Sequence, residues 1–348
     1  MKRSRPAKPV SVKDVAANSG VSFQTTSKVL NGKGSVSEQT RKRILSAATD
    51  LGYVPNILAR SLVTRSTQAI GLVASNFSDP NLSRFIVGAE QEARRQGHAV
   101  IIASIEPDGT GGHRAVRALI ERRVDGIVLA DPPAEEDARY ARLMKHQIPI
   151  VSLHDVPGGG LLTVGSNHVQ SGLLATRHLT DLGHHRIGTI TGPHGGRLAQ
   201  SRLRGYRQAL GEAGLADDLT LVEESDWQIS GGFEATRRLL SRRPDLTAIF
   251  AQNDTMAIGV LSALDTLGKD VPEACAVVGC DDIEMAAYTR PPLTTVRVPF
   301  YETGEEAIRL LLRMIASGSS GVRGTLLPVQ LVARASSGAG LSLFRQSK

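Results

Sequence analysis

Apolar positions keep two rhythms along this chain, a helical one up to Gly52 and a strand-and-helix alternation from Gln68 onward. In the first part, Val12, Val15 and Ala16 fall on one face of a helix. It opens with Ser11 and Asp14 in the S-x-x-D spacing of a capping box. Gly20 can take the φ > 0 turn conformation at no steric cost. Ser22 then suits the N-cap of a second helix that turns Thr26, Val29 and Leu30 inward. A third helix follows Ser37 and runs through "EQTRKRILSAATDLG", with Ile44, Leu45 and Ala48 expected inside and Gly52 as its stop. Two short helices across a glycine turn, buttressed by a third, predict an all-α helix-turn-helix head over residues 1–55.

The second rhythm is that of an α/β protein. "AIGLVAS", "AVIIASI", "VDGIVLA" and "IPIVSL" are short, apolar and β-branched, as buried parallel strands require. Helical stretches such as "LSRFIVGAEQEARRQG" and "HRAVRALIERR" separate them. The cycle then restarts with "GLLATRHLTDLG", "RIGTITG", "RLRGYRQALGEAG", "LTAIFA", "NDTMAIGVLSALDTLG" and "CAVVGCDD". Alternation of this kind predicts parallel, doubly wound sheets with ligands at the carboxyl ends of the strands. Its repetition predicts two lobes with a cleft between them. Between head and body lies "YVPNILARSLVTRST". Residues 56–63 are too few for an isolated helix to persist in water, so a helix is expected there only when something docks against it. Ala59 and Leu62 share one face of it.

Charge changes the picture of the head. Residues 1–66 hold twelve Lys and Arg against Asp14, Glu38 and Asp50, a net +9, whereas the whole chain of 348 residues is +7 and the remainder therefore −2. A basic head on a near-neutral body is the electrostatic footprint of nucleic-acid binding. The second helix fits that role. Its free face carries Gln24, Thr25, Ser27 and Lys28 in place of the Glu and Lys pairs of a merely solvated helix. Gln can bond an adenine edge bidentately, Ser and Thr can bond bases or phosphate, and Lys28 can reach guanine acceptors. Phe23 either meets a thymine methyl or packs inward. Lys2, Arg3 and Arg5 add phosphate attraction.

Composition excludes more than it proposes. With 41% hydrophobic and 22% charged residues, the chain reads as an ordinary globular protein. Cys275 and Cys280 form neither a disulfide framework nor a zinc site, which fits a reducing cytoplasm. No apolar run approaches the ~20 residues of a membrane span, and "MKRSRPAKPV" lacks the apolar stretch of a signal peptide. Neither a G-x-S-x-G, a Walker motif nor a metal-spaced cluster is present, and "LGHHRIG" places His184 and His185 in a turn. Catalysis, a metal and a cofactor are therefore not expected.

"VKDVAANSGVSFQTTSKVLN", "VSEQTRKRI" and "LGYVPNILARSLVTRST" resemble the head and hinge of LacI/GalR-family bacterial repressors, and the resemblance extends over nearly the whole chain. It implies a periplasmic-binding-protein-like core over residues 67–340, with a hinge at 56–66 and a tail at 341–348. The first lobe would span about 67–163 plus 297–325, and the second about 164–296 plus 326–340. It implies DNA contacts from Ser22, Phe23, Gln24, Thr25, Ser27, Lys28 and Asn31, and from the hinge residues Asn56, Ala59 and Leu62, with Leu62 wedged into the minor groove. The implied effector residues are Ser75, Phe77, His154, Arg202, Trp227, Asn253, Thr255, Asp281 and Phe300. Such a set suits a polyol, with polar groups for hydroxyls and aromatic faces for a ring. A homodimer on a palindromic operator, acting in the bacterial cytoplasm at the nucleoid and released by a sugar, is the implied function. Corepression by a purine- or nucleoside-like ligand is the alternative. The chain departs from the family at three places: His154 stands where many relatives have Asp, Thr255 replaces a longer side chain, and "SNFSDPNL" lacks the second aromatic usual after its Pro. "VARASSGAGLSLFRQSK" has no leucine heptad, so no tetramerising coiled coil is expected.

Overall fold

The computed structural model describes residues 10–32, 34–55, 66–75, 77–105, 111–130, 148–153, 161–317 and 323–338. The N-terminal arm, the hinge residues Asn56, Ala59 and Leu62, His154 and the tail lie outside the described residues. The chain divides into two compact units, residues 1–67 and 68–348.

In the first unit the helices are α1 (Val12–Ser19), α2 (Phe23–Leu30) and α3 (Glu38–Asp50). The capping box forms: Asp14 Oδ2 accepts from the Ser11 backbone N–H at 2.8 Å and from its hydroxyl at 2.7 Å. Gly20 ends α1 at φ 61°, and the Thr25 N–H donates to Ser22 Oγ at 3.3 Å to open α2. Val15, Val29, Ile44, Ala47 and Ala48 make the core. The expectation for Leu45 is corrected: it is 47% exposed. Ile44 is continued by residues three and four further on, Ala47 and Ala48, whereas Leu45 lies ~100° round the helix.

Among the described residues, the second unit holds two six-stranded sheets. The first sheet has the order β11-β5-β4-β3-β1-β2, built from β1 (Ala69–Ala74), β2 (Ala99–Ser104), β3 (Gly126–Leu129), β4 (Ile150–Ser152), β5 (Leu162–Ser166) and β11 (Thr325–Leu327), all parallel. Helix α4 (Pro80–Arg95) and the late helix α10 (Phe300–Ser317) cover one face with Phe85, Ala89, Ala307, Ile308 and Leu311. On the other face α5 (Gly112–Glu121) packs Val116 and Leu119 against Ile127 and Leu129. Burial on both faces explains the unbroken apolar runs of β1 and β3. β2 departs from that expectation. As an edge strand it is only partly covered, and Ile102 is 45% exposed.

The second sheet has the order β12-β10-β9-β8-β6-β7, from β6 (Ile187–Thr191), β7 (Val222–Glu224), β8 (Ala248–Ala251), β9 (Ala276–Asp281), β10 (Thr294–Arg297) and β12 (Gln330–Val332). β12 runs antiparallel to β10, and the other pairs are parallel. Helices α6 (His168–Asp181) and α7 (Arg197–Glu212) cover one face through Leu179, Leu203 and Tyr206. Helices α8 (Ile229–Arg242) and α9 (Asp254–Thr266) cover the other through Leu239, Met256 and Val260. Among the described residues the chain passes between sheets three times: from β5 to α6, from β10 to α10, and from β11 to β12. Glycine sets the closest helix approach. A Cβ on Gly172 of α6 would sit 2.0 Å from the Arg202 carbonyl of α7, and one on Gly205 would sit 1.9 Å from the Val169 carbonyl.

Candidate functional site

Two surfaces carry chemistry, one in each unit. On α2 the buried residues are Thr26 and Val29, which leave Gln24 and Lys28 exposed, with Thr25 and Ser27 partly exposed beside them. Phe23 stays 50% exposed and does not join the core. The row is pre-ordered. Ser22 Oγ donates to Thr25 Oγ1 at 2.9 Å, and Asn31 Nδ2 donates to the Ser27 carbonyl at 2.7 Å. A helix N-terminus lined with amide and hydroxyl groups also favours phosphate oxygens.

In the second unit the chemistry centres on the carboxyl end of β9. Arg202 lies within the apolar stripe of α7 with Ala199, Leu203, Tyr206 and Ala209, and it is 1% exposed. A charge there requires a counter-charge. Its guanidinium donates to Asp281 Oδ1 at 2.6 Å and to the Gln252 carbonyl. Burial works against the Arg202 charge, but the facing Asp281 outweighs it and holds the guanidinium above its ordinary pKa. The second Asp281 oxygen, Oδ2, accepts from Asn81 Nδ2 of the other lobe at 2.7 Å. Arg84, one turn further along α4, donates to the Asp282 carbonyl at 3.2 Å. The β9 turn is therefore where first-lobe helix α4 touches the second lobe.

That turn is strained and clamped. Asp281 and Asp282 have φ of 119° and 54°, in a region that non-glycine residues rarely visit. Asp254 holds the turn from beneath. Its Oδ2 accepts from the Ile283 N–H at 2.9 Å and its Oδ1 from the Thr295 hydroxyl at 2.5 Å, while Thr295 Oγ1 accepts from the Asp282 N–H at 3.3 Å. A Cβ on Gly279 would lie 2.2 Å from Asp254 Oδ1, so only glycine leaves room. Burial, and next the charge of Asp281, push the Asp254 carboxyl up to about 7. Burial alone would also raise Asp282, but hydrogen bonds from Arg334 and Arg297, at 2.6 and 2.7 Å, outweigh it and hold that carboxyl below its usual value.

The remaining expected residues divide. Asn253 caps α9: its Oδ1 accepts from the Met256 N–H at 2.8 Å and its Nδ2 donates to the Trp227 carbonyl at 3.1 Å. Trp227, at φ 70°, lays its ring against Gly192, where a Cβ would come within 2.0 Å of the indole. Phe300 packs against the cores of both lobes at the β10-to-α10 crossing. Ser75, half-buried, directly follows β1, and Phe77 is 44% exposed, its carbonyl accepting from Ser83 Oγ at 2.7 Å. Thr255 lines a hollow between α8 and α9 with Gln228, Ile229, Phe233 and Glu234, and no hydrogen bond links it to Arg202 or Asp281. Sequence reasoning missed Asn81, Arg84 and Gln252. The first two sit about one turn apart just after the Asp79–Pro80 helix start, and both reach the β9 turn.

Comparison with known proteins covers both units. Residues 11–56 match the family described as bacterial regulatory proteins, lacI family, and residues 176–337 match a periplasmic binding protein-like domain. The ribose operon repressor of Escherichia coli (strain K12) is 37% identical over 305 residues, 87% of this chain and 92% of that protein. The HTH-type transcriptional repressor PurR of Photobacterium profundum is 32% identical over 326 residues, 93% and 98% of the two chains. Among solved structures, the Lac repressor dimer bound to operator and the anti-inducer ONPF superposes with a TM-score of 0.85 at 29% identity, covering 95% of this chain and 99% of that one.

Proposed function

The chain belongs to the LacI family of bacterial regulatory proteins, and on that premise we propose how its two surfaces work. It is a DNA-binding repressor whose core responds to a small molecule, and a sugar or sugar derivative is the effector that fits. Two copies pair, their heads read the two halves of a palindromic operator, and Gln24 and Lys28 contact base edges while Ser22, Thr25, Ser27 and Asn31 fix the helix on the backbone. Asn56, Ala59 and Leu62 form a hinge helix only on the operator, with Leu62 in the minor groove. The protein acts by occupying DNA rather than by catalysis, in the cytoplasm at the nucleoid. The cleft groups are Arg202, Asp281, Trp227, Phe300, Ser75, Phe77 and His154, with Asn253 and Thr255 at its edge.

One observation carries the coupling. Asp281 is bonded at once to Arg202 in its own lobe and to Asn81 in the other. A ligand that engages Asp281 changes how the lobes meet, and a coupling of about 1–3 kcal/mol changes operator affinity roughly 5–150-fold. DNA fragments retained by the purified protein define the operator, and a sugar panel is then screened for release. Recovery of a palindrome and release by a sugar support the reading; retention of no sequence above random DNA refutes it. Gln24→Ala costs about 1–3 kcal/mol at one operator position, and a uniform loss on random DNA refutes base reading by Gln24.

A further inference from the structure

The amino ends of the first sheet's strands form a rim on the side of the lobe away from the cleft. Parallel strands joined by crossover helices bring strand starts and helix last turns to one and the same rim. Three of the starts are tied together there. The Gln68 N–H donates to Asp125 Oδ2, the Ala99 N–H to the Gln68 carbonyl and the Asp125 N–H to the Ala69 carbonyl, each at 2.8 Å. Strand order puts β11 at one end of the rim and β2 at the other. At about 4.8 Å per strand, the rim is roughly 24 Å long.

This rim is basic, although residues 67–348 as a whole sum to −2. Among its described residues are Arg94 and Arg95 where α4 ends before β2, Arg122 and Arg123 where α5 ends before β3, and Arg313 and Arg323 between the last turn of α10 and β11. All six are exposed. The acids among those described residues are Glu121, which Arg117 engages at 3.0 Å from one turn back along α5, and Asp125, which holds the Gln68 N–H. Arg94, Arg95 and Arg313 have carboxylate partners on α4 and α10. Arg122 and Arg323 have none among the described residues: Arg122 Nη1 donates to the Ala118 carbonyl at 2.9 Å, and Arg323 is not engaged. The helix dipole favours a cation at the end of α5, which accounts for Arg122. It does not account for Arg323, which stands outside any helix, two residues before β11.

What an open basic rim meets depends on what is tethered to it. The chain arrives from the basic head at the start of β1, which lies between β3 and β2 in the rim. Residues 56–67 make the whole connection, and even fully extended it reaches no further than ~45 Å. A head seated on DNA therefore keeps the rim near the same duplex, at an effective concentration in the millimolar range for a short flexible connection. We propose that this rim is a second DNA-contacting surface, in which Arg122 and Arg323 bind phosphates of the duplex that the head occupies. A guanidinium matches phosphate oxygens with paired N–H groups and reads no base, so the surface adds affinity without specificity. The proposal rests on the reading of the head as DNA-binding.

The test is titration of the full chain on its selected operator and on random duplex across a salt series. The double variant Arg122→Gln/Arg323→Gln removes both charges and keeps polar side chains. Each phosphate contact contributes about 0.9 to the slope of log affinity against log salt, so the slope falls by roughly 1.8. Between about 50 and 200 mM salt, the loss of affinity then shrinks roughly ten-fold relative to the parent. Operator and random duplex change alike. Arg122→Lys/Arg323→Lys keeps the charges and the parent slope, which a merely structural role of Arg122 at its helix end does not require. Arg204→Gln/Arg237→Gln takes two charges from exposed positions of the second lobe and leaves the slope unchanged, because at ~0.1 M salt charges more than about 10 Å from the phosphates are screened. A rim variant with the parent slope, an equal fall in the second-lobe variant, or a changed sedimentation of the dimer in place of a changed slope overturns the proposal, the last by assigning the rim to a protein contact. If the parent binds neither duplex, the reading of the head fails and takes the proposal with it; if the parent binds and only the rim variant shows no effect, the proposal fails alone.

Discussion

Arg202 and Asp281 allow a quantitative test of the site's electrostatics. Their side chains are 1% and 4% exposed and meet at 2.6 Å, so neither charge can turn to solvent when its partner is removed. Asp281→Asn leaves the guanidinium facing a neutral amide inside an apolar helix stripe. Breaking a buried pair in this way costs about 3–5 kcal/mol. For a lobe of about 150 residues each kcal/mol lowers the melting temperature by roughly 2–4 °C, so the expected fall is about 6–20 °C. Arg202→Met leaves a lone buried carboxylate and falls similarly. The double variant removes both charges and keeps the volume, and its loss is no larger than that of either single change. Scanning calorimetry on the four proteins, repeated at high salt, reads the effect, and salt changes it little because the pair is buried. A fall below about 2 °C for Asp281→Asn, or a double variant that loses the sum of the singles, refutes the view that this is a mutually dependent buried pair.

Three further outcomes follow from the same structure. Asp254 titrates near 7 in the folded chain against an ordinary value of 3.8, so the folded state keeps a proton that the unfolded chain releases, and stability falls as pH rises between those values; between about pH 5 and pH 8 the parent loses roughly 2–3 kcal/mol that Asp254→Asn does not lose, and equal urea midpoint shifts for the two proteins refute it. Gly172→Ala brings a Cβ to within 2.0 Å of the Arg202 carbonyl, which parts α6 from α7, destabilises by about 1–3 kcal/mol and weakens effector binding through Arg202; unchanged melting and unchanged titration together count against it. Ile44, fully buried at the centre of the head, costs about 2–5 kcal/mol on change to Ala; a gel shift shows operator binding lost, while calorimetry shows effector binding kept, and retained operator affinity refutes the assignment of that core.

The elements that declare themselves in sequence are those whose physics is local. The Ser11–Asp14 box, Gly20 and the Ser22 cap fix α1 and α2 within a few residues of the chain, and the apolar runs of β1 and β3 follow from two-sided burial. Leu45 is misplaced by pattern alone because a helix face is decided by what packs on it, and Ala47 closes that face with a smaller side chain. β2 reads as buried because its composition matches its neighbours, whereas its place at the sheet edge depends on strand order. The site is legible as far as family pattern reaches: Arg202 and Asp281 are brought together across about 80 residues. Asn81, Arg84 and Gln252 are not, because their roles depend on the lobes meeting at the β9 turn and on a ladder bond one residue past β8. Asn253 looks equivalent to Gln252 in sequence, and only the hydrogen bonds of the α9 cap tell the two amides apart.

The three passages between the sheets also govern how the protein is born. All but one of the first sheet's strands are made by Ser166, yet α10, which shares one face of the sheet with α4, does not begin until Phe300, and the edge strand β11 not until Thr325. At ribosomal speeds of about 5–20 residues per second, the intervening stretch of about 130 residues takes roughly 7–26 s. Throughout that interval Ile70, Leu72, Val128 and Val151 have no Ile308 or Leu311 to cover them, and β5 presents an unpaired edge. A ribosome stalled anywhere between those points thus leaves a first lobe with one face half covered and one edge unpaired rather than a finished domain.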